Sequence, residues 1–264
     1  MQGSFAAPRM AFMKSALLNR IARLAYPFGC VRRVQRGPGA GLRFRVQPSM
    51  GMTYALGYDA HNAKWLHSVV KHGMTVYDIG ANFGQMALPF GRWVGADGRV
   101  VAVEPVPANA QQLRDNIALN NARNVAVVEA ALSDKPGSAS FLLDPAKARM
   151  GKLENCEPTY NEFCRRDERF EVKTIRLDDL VAEFGPPDFL KIDVEGGARG
   201  VLAGATEVLN HIRPDIYLEL HGPEEQAAVR ELVQPAGYRL RGLDGTIVDD
   251  PVKSWCNPLW CSPG

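Results

Sequence analysis

In the stretch TVYDIGANFG, residues 75–84, an apolar run ends on Asp78, and Gly80 and Gly84 bracket Ala-Asn-Phe. A run that breaks into glycines in this way predicts a strand, a tight turn and a helix. Gly80 permits an unusual backbone angle, or lets a ligand approach closely. Gly84 lets the helix start near the turn. A dinucleotide fingerprint would need glycine where Asn82 stands, because a pyrophosphate lies against bare backbone. The Gly-x-x-x-Gly turn therefore suits a nucleoside ligand without that group. The next apolar run, GRVVAVEP, ends on Glu104. A carboxylate there can accept hydrogen bonds from both ribose hydroxyls. The plainer alternative is a solvated strand-end acid.

Two further segments bring acids and a histidine to strand ends. FLKIDVEGG closes on Asp193, with Lys191 on the same face two residues earlier. The favoured reading of Lys191 is an ion pair with a nearby carboxylate. In DIYLELHG, Glu219 and His221 alternate with Leu218 and Leu220, so both project from one face. If the two strands are neighbours, Asp193, Glu219 and His221 meet at one crevice. Such a group can deprotonate a hydroxyl, orient it, or hold a divalent ion. For His221 a strand-end histidine bonded to backbone is the competing reading. No zinc spacing of cysteine and histidine occurs, and no metal centre is expected.

The elements that must position these residues alternate between strand and helix. Apolar strands are read at Val76–Ile79, GRVVAVEP, NVAVVEAAL, PDFLKIDVEG, RPDIYLELHG and YRLRGL, with GTIVDD as a further strand to finish the sheet. Helices fall between them, at about 85–94, in PANAQQLRDNIALNN with Pro107 near its start, in DDLVAEFG, in ARGVLAGATEVLNHI, and in EEQAAVRELVQPAG, broken near Pro235. This order predicts an α/β fold with a mostly parallel sheet covered on both faces, and a ligand beyond the carboxyl ends of the strands at the topological switch point. SASFLL and FEVKTIRL read as edge or flap strands. Residues 144–169 are polar and weakly patterned, which marks a candidate substrate flap.

Composition is that of a globular chain: 264 residues, 46% hydrophobic and 23% charged. Charge is unevenly placed. Residues 1–58 contain no acid and nine bases, namely Arg9, Lys14, Arg20, Arg23, Arg32, Arg33, Arg36, Arg43 and Arg45. This basic arm holds a candidate amphipathic helix over 11–28 and a candidate hairpin in VRRVQRGPGAGLRFRV. An anionic membrane surface is the weak contact expected of it; no nucleic-acid partner is expected. The boundaries read as 1–58 for the arm and hairpin, 59–250 for the main domain and 251–264 for a tail. Without an 18-residue apolar run or a signal-peptide core, a cytoplasmic location is expected. The five cysteines read as free thiols, with Cys256 and Cys261 a possible pair.

Taken together, VYDIGANFG, VVAVEPVPANAQQLRDNIALNN, VAVVEAALSD, VKTIRLDDL, DFLKIDVEGGARGVLAGA and RPDIYLELHG resemble the FkbM family of S-adenosylmethionine-dependent methyltransferases. The resemblance implies a class I, Rossmann-like seven-strand methyltransferase sheet with the N-terminal hairpin as an appendage. It implies that Asp78, Gly80, Asn82 and Gly84 line the methionine side of the cofactor. Glu104 would hold the ribose, Ala131 and Leu132 would border the adenine, and Asp193 would close the site near the methyl group. Asp193, Glu219 and His221 are then the candidates for the base. It further implies O-methylation of a hydroxyl on a saccharide or small natural product. The chain departs from the family at Ala198, where an acid is usual. That departure favours a rival reading, a catalytically idle cofactor- or glycan-binding module. An NAD-dependent oxidoreductase fits the fold and Glu104 but not the Gly-x-x-x-Gly turn.

Overall fold

A computed structural model describes residues 27–47, 60–144, 150–154, 156, 168–254 and 256–264. A hairpin of Val31–Arg33 (β1) and Arg43–Arg45 (β2) comes first, followed by the helix Ala60–Val69 (α1). Strand and helix then alternate through Thr75–Ile79 (β3), Ala87–Val94 (α2), Arg99–Val103 (β4), Pro107–Asn120 (α3) and Val125–Val128 (β5). The excursion that follows contains Ala131–Leu132 (β6), Gly137–Asp144 (β7), Met150–Leu153 (β8) and Glu168–Ile175 (β9). Alternation resumes with Leu177–Phe184 (α4), Phe189–Ile192 (β10), Ala198–Ala203 (α5), Asp215–Leu218 (β11), Pro223–Ala228 (α6) and Tyr238–Gly242 (β12), and ends on Leu259–Pro263 (β13). The helix expected over 11–28 lies almost wholly outside the described residues.

The main sheet has seven strands in the order β12-β13-β11-β10-β3-β4-β5. Only β13 runs against the others. The order reverses between β3 and β10, so the switch point falls where Asp78 and Asp193 end their strands. This is the mostly parallel sheet expected from the alternation, with the seven strands of the class I, Rossmann-like sheet that the resemblance implies. Apart from Asp78 and Lys191, the buried residues of β3, β4 and β10 are apolar on both faces because helices cover both. Val76, Val100 and Phe189 point into one layer with α1, α2 and α3. Tyr77, Val101 and Leu190 point into the other, with α4, α5 and α6.

Three features differ from the sequence reading. The strand expected over NVAVVEAAL is split: β5 stays in the main sheet, and Ala131 and Leu132 leave it to pair with β9. The edge or flap strands build a second sheet, β6-β9-β7-β8, and the polar 144–169 stretch supplies its β8. The seventh strand of the main sheet is not GTIVDD, which makes only the isolated bridge Arg241↔Ile247. It is β13, within the stretch read as a tail. Asn257 steers it in, donating to the Leu220 carbonyl at 3.0 Å and accepting from the Leu220 amide at 2.8 Å. Leu259 and Cys261 are then fully buried, and Cys256 and Cys261 stay unbridged.

The N-terminal hairpin is fastened to α3. Asn120 accepts from the Arg43 amide and donates to its carbonyl, at 2.9 and 2.7 Å. Asn116, fully buried, accepts from the Arg45 amide at 3.0 Å and donates to the Phe83 carbonyl at 2.9 Å. One side chain thus ties the hairpin to the turn after β3. Asn116→Leu strands one buried and one part-buried backbone group, so it is expected to cost about 2 kcal/mol, read as a lower urea midpoint at unchanged slope.

Candidate functional site

The ligand end of the sheet is built by close approach of two turns. Gly80, at φ +83°, follows β3, and a Cβ there would lie 1.9 Å from the Asp193 carbonyl oxygen. Only glycine lets the β3 and β10 turns touch. Asn82 sits at φ +50°, a left-handed angle that costs a non-glycine residue strain of a kind found at functional sites. Its amide donates to Glu104 Oε2 at 2.8 Å. Glu104 Oε1 accepts from the Val106 amide at 3.0 Å and from Asn109 Nδ2 at 3.2 Å. Burial pushes the Glu104 carboxyl up to about 7 against these three hydrogen bonds.

Deeper in the crevice the charges interlock. Lys191, 4% exposed, stands opposite Asp78 in the β3–β10 register. Its ammonium lies 3.5 Å from Asp78 Oδ1 and 3.3 Å from Asp193 Oδ2. Burial raises the Asp78 carboxyl, and the Lys191 charge opposes that rise. His221 Nε2 lies 3.0 Å from Asp193 Oδ1, and Nδ1 lies 3.4 Å from Glu195 Oε2. Burial alone would lift Asp193, but Lys191 and His221 hold its carboxyl below the usual carboxylate range. Burial alone would lower His221. The hydrogen bond with Asp193 and the charges of Glu195, Asp193 and Glu225 outweigh it and raise the ring to about 9. His221 is therefore an imidazolium at neutral pH.

A cavity of about 390 Å³ opens between these groups. Asp78, Gly80, Asn82, Glu104, Ala131, Leu132 and Asp193 line it, as does Lys191. Gly84, at φ +97°, does not; a Cβ there would meet Leu113 Cδ1 at 2.6 Å, so its part is helix packing. Glu219 and His221 do not line the cavity either. They stand with Asp193, the three offering ligand atoms within 4.8 Å of one another. That group could hold a cation, but Asp193 is already balanced by Lys191 and His221. Glu219 accepts from the Tyr217 hydroxyl at 2.9 Å.

Several cavity residues were not singled out as site residues from the sequence. Glu195 lines it from a left-handed position, φ +49°, in the turn after β10. Phe141, Gly151 and Leu153 close it from the second sheet. A Cβ on Gly151 would lie 2.4 Å from both the Leu142 oxygen and Phe141 Cε1, so glycine lets β8 lie flat under the ring. The sequence signal for this wall was faint, because β8 lies within a polar, weakly patterned stretch.

The profile of the Methyltransferase FkbM domain matches residues 78–240, more than half of the chain and all of the site just described. The chain belongs to the FkbM methyltransferase family. Among solved structures it is similar to an FkbM methyltransferase from Methylobacillus flagellatus, at 17% identity and a TM-score of 0.49, over 71% of this chain and 43% of that one. The chain thus spans less than half the length of that relative. A S-adenosylmethionine-dependent O-methyltransferase from Thermotoga maritima is 15% identical over 89% of this chain and 77% of that one, with a TM-score of 0.45. Fibrillarin from Aeropyrum pernix, solved with natively bound S-adenosylmethionine, is 12% identical over 73% and 66%, at 0.42. No curated protein sequence matches the chain.

The departure from the FkbM pattern at Ala198 has a local answer. Glu225, 1% exposed on α6, accepts from the Ala198 amide at 3.0 Å and also from the His221 amide. A carboxylate from α6 thus bonds the backbone at position 198. Because Asp193 is the chief support of the charged ring, Asp193→Asn should lower the His221 pKa from about 9 by more than one unit, followed by NMR titration of the imidazole.

Proposed function

We propose that this chain is a S-adenosylmethionine-dependent methyltransferase that methylates a hydroxyl oxygen of a saccharide or small natural product. The observation that carries the reading is the cavity at the switch point, with Glu104 on one wall and Asp193 on another. Its residues fit the cofactor on one detail in particular. Asn82 Oδ1 is buried at the cavity without a hydrogen-bond partner, an acceptor suited to the amino group of a methionine end. The Asp78–Asn82 turn would hold that end. Glu104 would accept the ribose hydroxyls, and Ala131, Leu132 and Phe141 would enclose the adenine.

When bound, S-adenosylmethionine supplies a methyl group on an activated sulfonium. The protein's task is then alignment, which can lower a barrier by several kcal/mol. Asp193 and Glu195 both line the cavity and can accept a hydrogen bond from an acceptor hydroxyl. His221 lies behind them with each ring nitrogen beside a carboxylate. Its part at neutral pH is to hold those acids in place, and it becomes a base only as pH rises toward about 9. Glu219 is one step further out, beyond the cavity wall.

Calorimetry with S-adenosylhomocysteine tests the cofactor assignment. Glu104→Ala removes two charge-assisted hydrogen bonds, so its Kd should rise by about a hundredfold. The carboxylate must be ionised to accept both bonds. Wild-type affinity should therefore fall as pH drops through about 7, and Glu104→Gln should lose that dependence. Equal affinity in wild type and Glu104→Ala removes the ribose role, and binding of NAD alone removes the methyltransferase reading. Methyl transfer from labelled S-adenosylmethionine to a saccharide panel is expected to survive EDTA. Loss that divalent metal restores would assign Asp193, Glu219 and His221 to an ion instead.

A further inference from the structure

We propose that the N-terminal hairpin docks this protein on an anionic lipid surface, with Phe28 at the interface and the outward arginines against the headgroups. The hairpin register sets Arg33 opposite Arg43, and opposite residues in an antiparallel pair share a face. Like charges so placed destabilise a hairpin unless something answers them. Among the described residues no carboxylate pairs with Arg33, Arg36 or Arg43; the Arg43 guanidinium donates to the Leu119 carbonyl. All three side chains are exposed. The opposite face of the hairpin carries Phe44, which is buried in one cluster with Phe83 and Leu88. The hairpin is therefore fixed through Phe44, while Arg32 across from it and Arg33, Arg36 and Arg43 stay exposed.

Phe28 lies in the turn that leads into β1. It is 66% exposed, and among the described residues it is the exposed aromatic of the large hydrophobics. The same turn is tied to β2 by Arg45, which donates to the Gly29 carbonyl at 2.9 Å. A protruding aromatic at the Arg45 end of a hairpin that carries arginines without carboxylate partners is the chemistry of a membrane interface. A nucleic acid fits less well. Binding single strands calls for a series of aromatic platforms, and among the described residues one such ring is exposed. The cavity beyond Phe83 is lined with Asp78, Glu104, Asp193 and Glu195, which would repel a phosphodiester led in from the hairpin. A plane of headgroups stays outside it. Docking there holds the cavity near the bilayer, which suits a hydroxyl carried on a lipid; that last clause rests on the methyltransferase reading, and the docking does not.

The test is co-sedimentation of the full chain with vesicles. Binding to phosphatidylcholine with about 30% phosphatidylserine should exceed binding to phosphatidylcholine alone at least tenfold in about 0.1 M salt, and should be released at about 0.5 M. At about fivefold per arginine, the combined Arg33→Ser, Arg36→Ser and Arg43→Ser variant should lose roughly a hundredfold. Phe28→Ser should weaken binding without changing its salt slope. Equal binding to both vesicles, no binding, or an unaffected arginine variant of wild-type thermal midpoint overturns the proposal. So does capture of a single-stranded RNA with no vesicle binding. If the arginine variant does not fold, the salt and lipid comparison on wild type still decides. Homocysteine-cofactor calorimetry on the same wild-type sample separates failure of docking from failure of the methyltransferase reading.

Discussion

Everything at the ligand end of the sheet depends on one buried ammonium. Asp78 and Asp193 end adjacent parallel strands, and Lys191 lies between their carboxylates with almost no water contact. Two carboxylates brought this close inside a protein cannot both stay charged unaided, and taking each out of water costs several kcal/mol. Lys191 stands opposite Asp78 in register and two residues before Asp193, so a single side chain serves both. With the charges balanced, the strands can end at the same depth. Gly80 then lets one turn rest on the carbonyl of the other. The cavity is the space this meeting leaves.

The remaining parts brace that arrangement from three directions. Glu104 bonds to the Asn82 amide and so fixes the far side of the β3 turn. Asn116 holds the same turn through the Phe83 carbonyl and passes the constraint to the N-terminal hairpin. Glu225 holds the Ala198 and His221 amides, joining the turn after β10 to the end of β11. Buried carboxylates and amides of this kind are costly unless satisfied, and here each satisfies backbone groups that the irregular turns leave open. The charged His221 extends the same logic, spanning Asp193 and Glu195 as a clamp on two acids.

The sequence by itself determined the parallel strands of the main sheet and the near side of the site. Apolar runs ending in Asp78, Glu104 and Asp193 announce buried parallel strands with acids at their carboxyl ends, because a strand covered on both faces leaves its end as the place for charge. The glycine at 80 and the non-glycine at 82 are equally local facts. The pairing of Lys191 with an acid was legible too, since residues two apart on a strand share a face. What only the tertiary structure decided involves long separations in the chain. The wall formed by Phe141, Gly151 and Leu153 depends on strands that pair across a polar stretch. β13 enters the sheet because Asn257 finds the Leu220 backbone, a contact 37 residues distant. Whether His221 is a base or a clamp depends on which carboxylates surround it, and Glu195 reaches it only from a strained turn. Periodicity and strand-end chemistry are written along the chain; a side chain's charge state is set by its neighbours in space, and those the fold alone supplies.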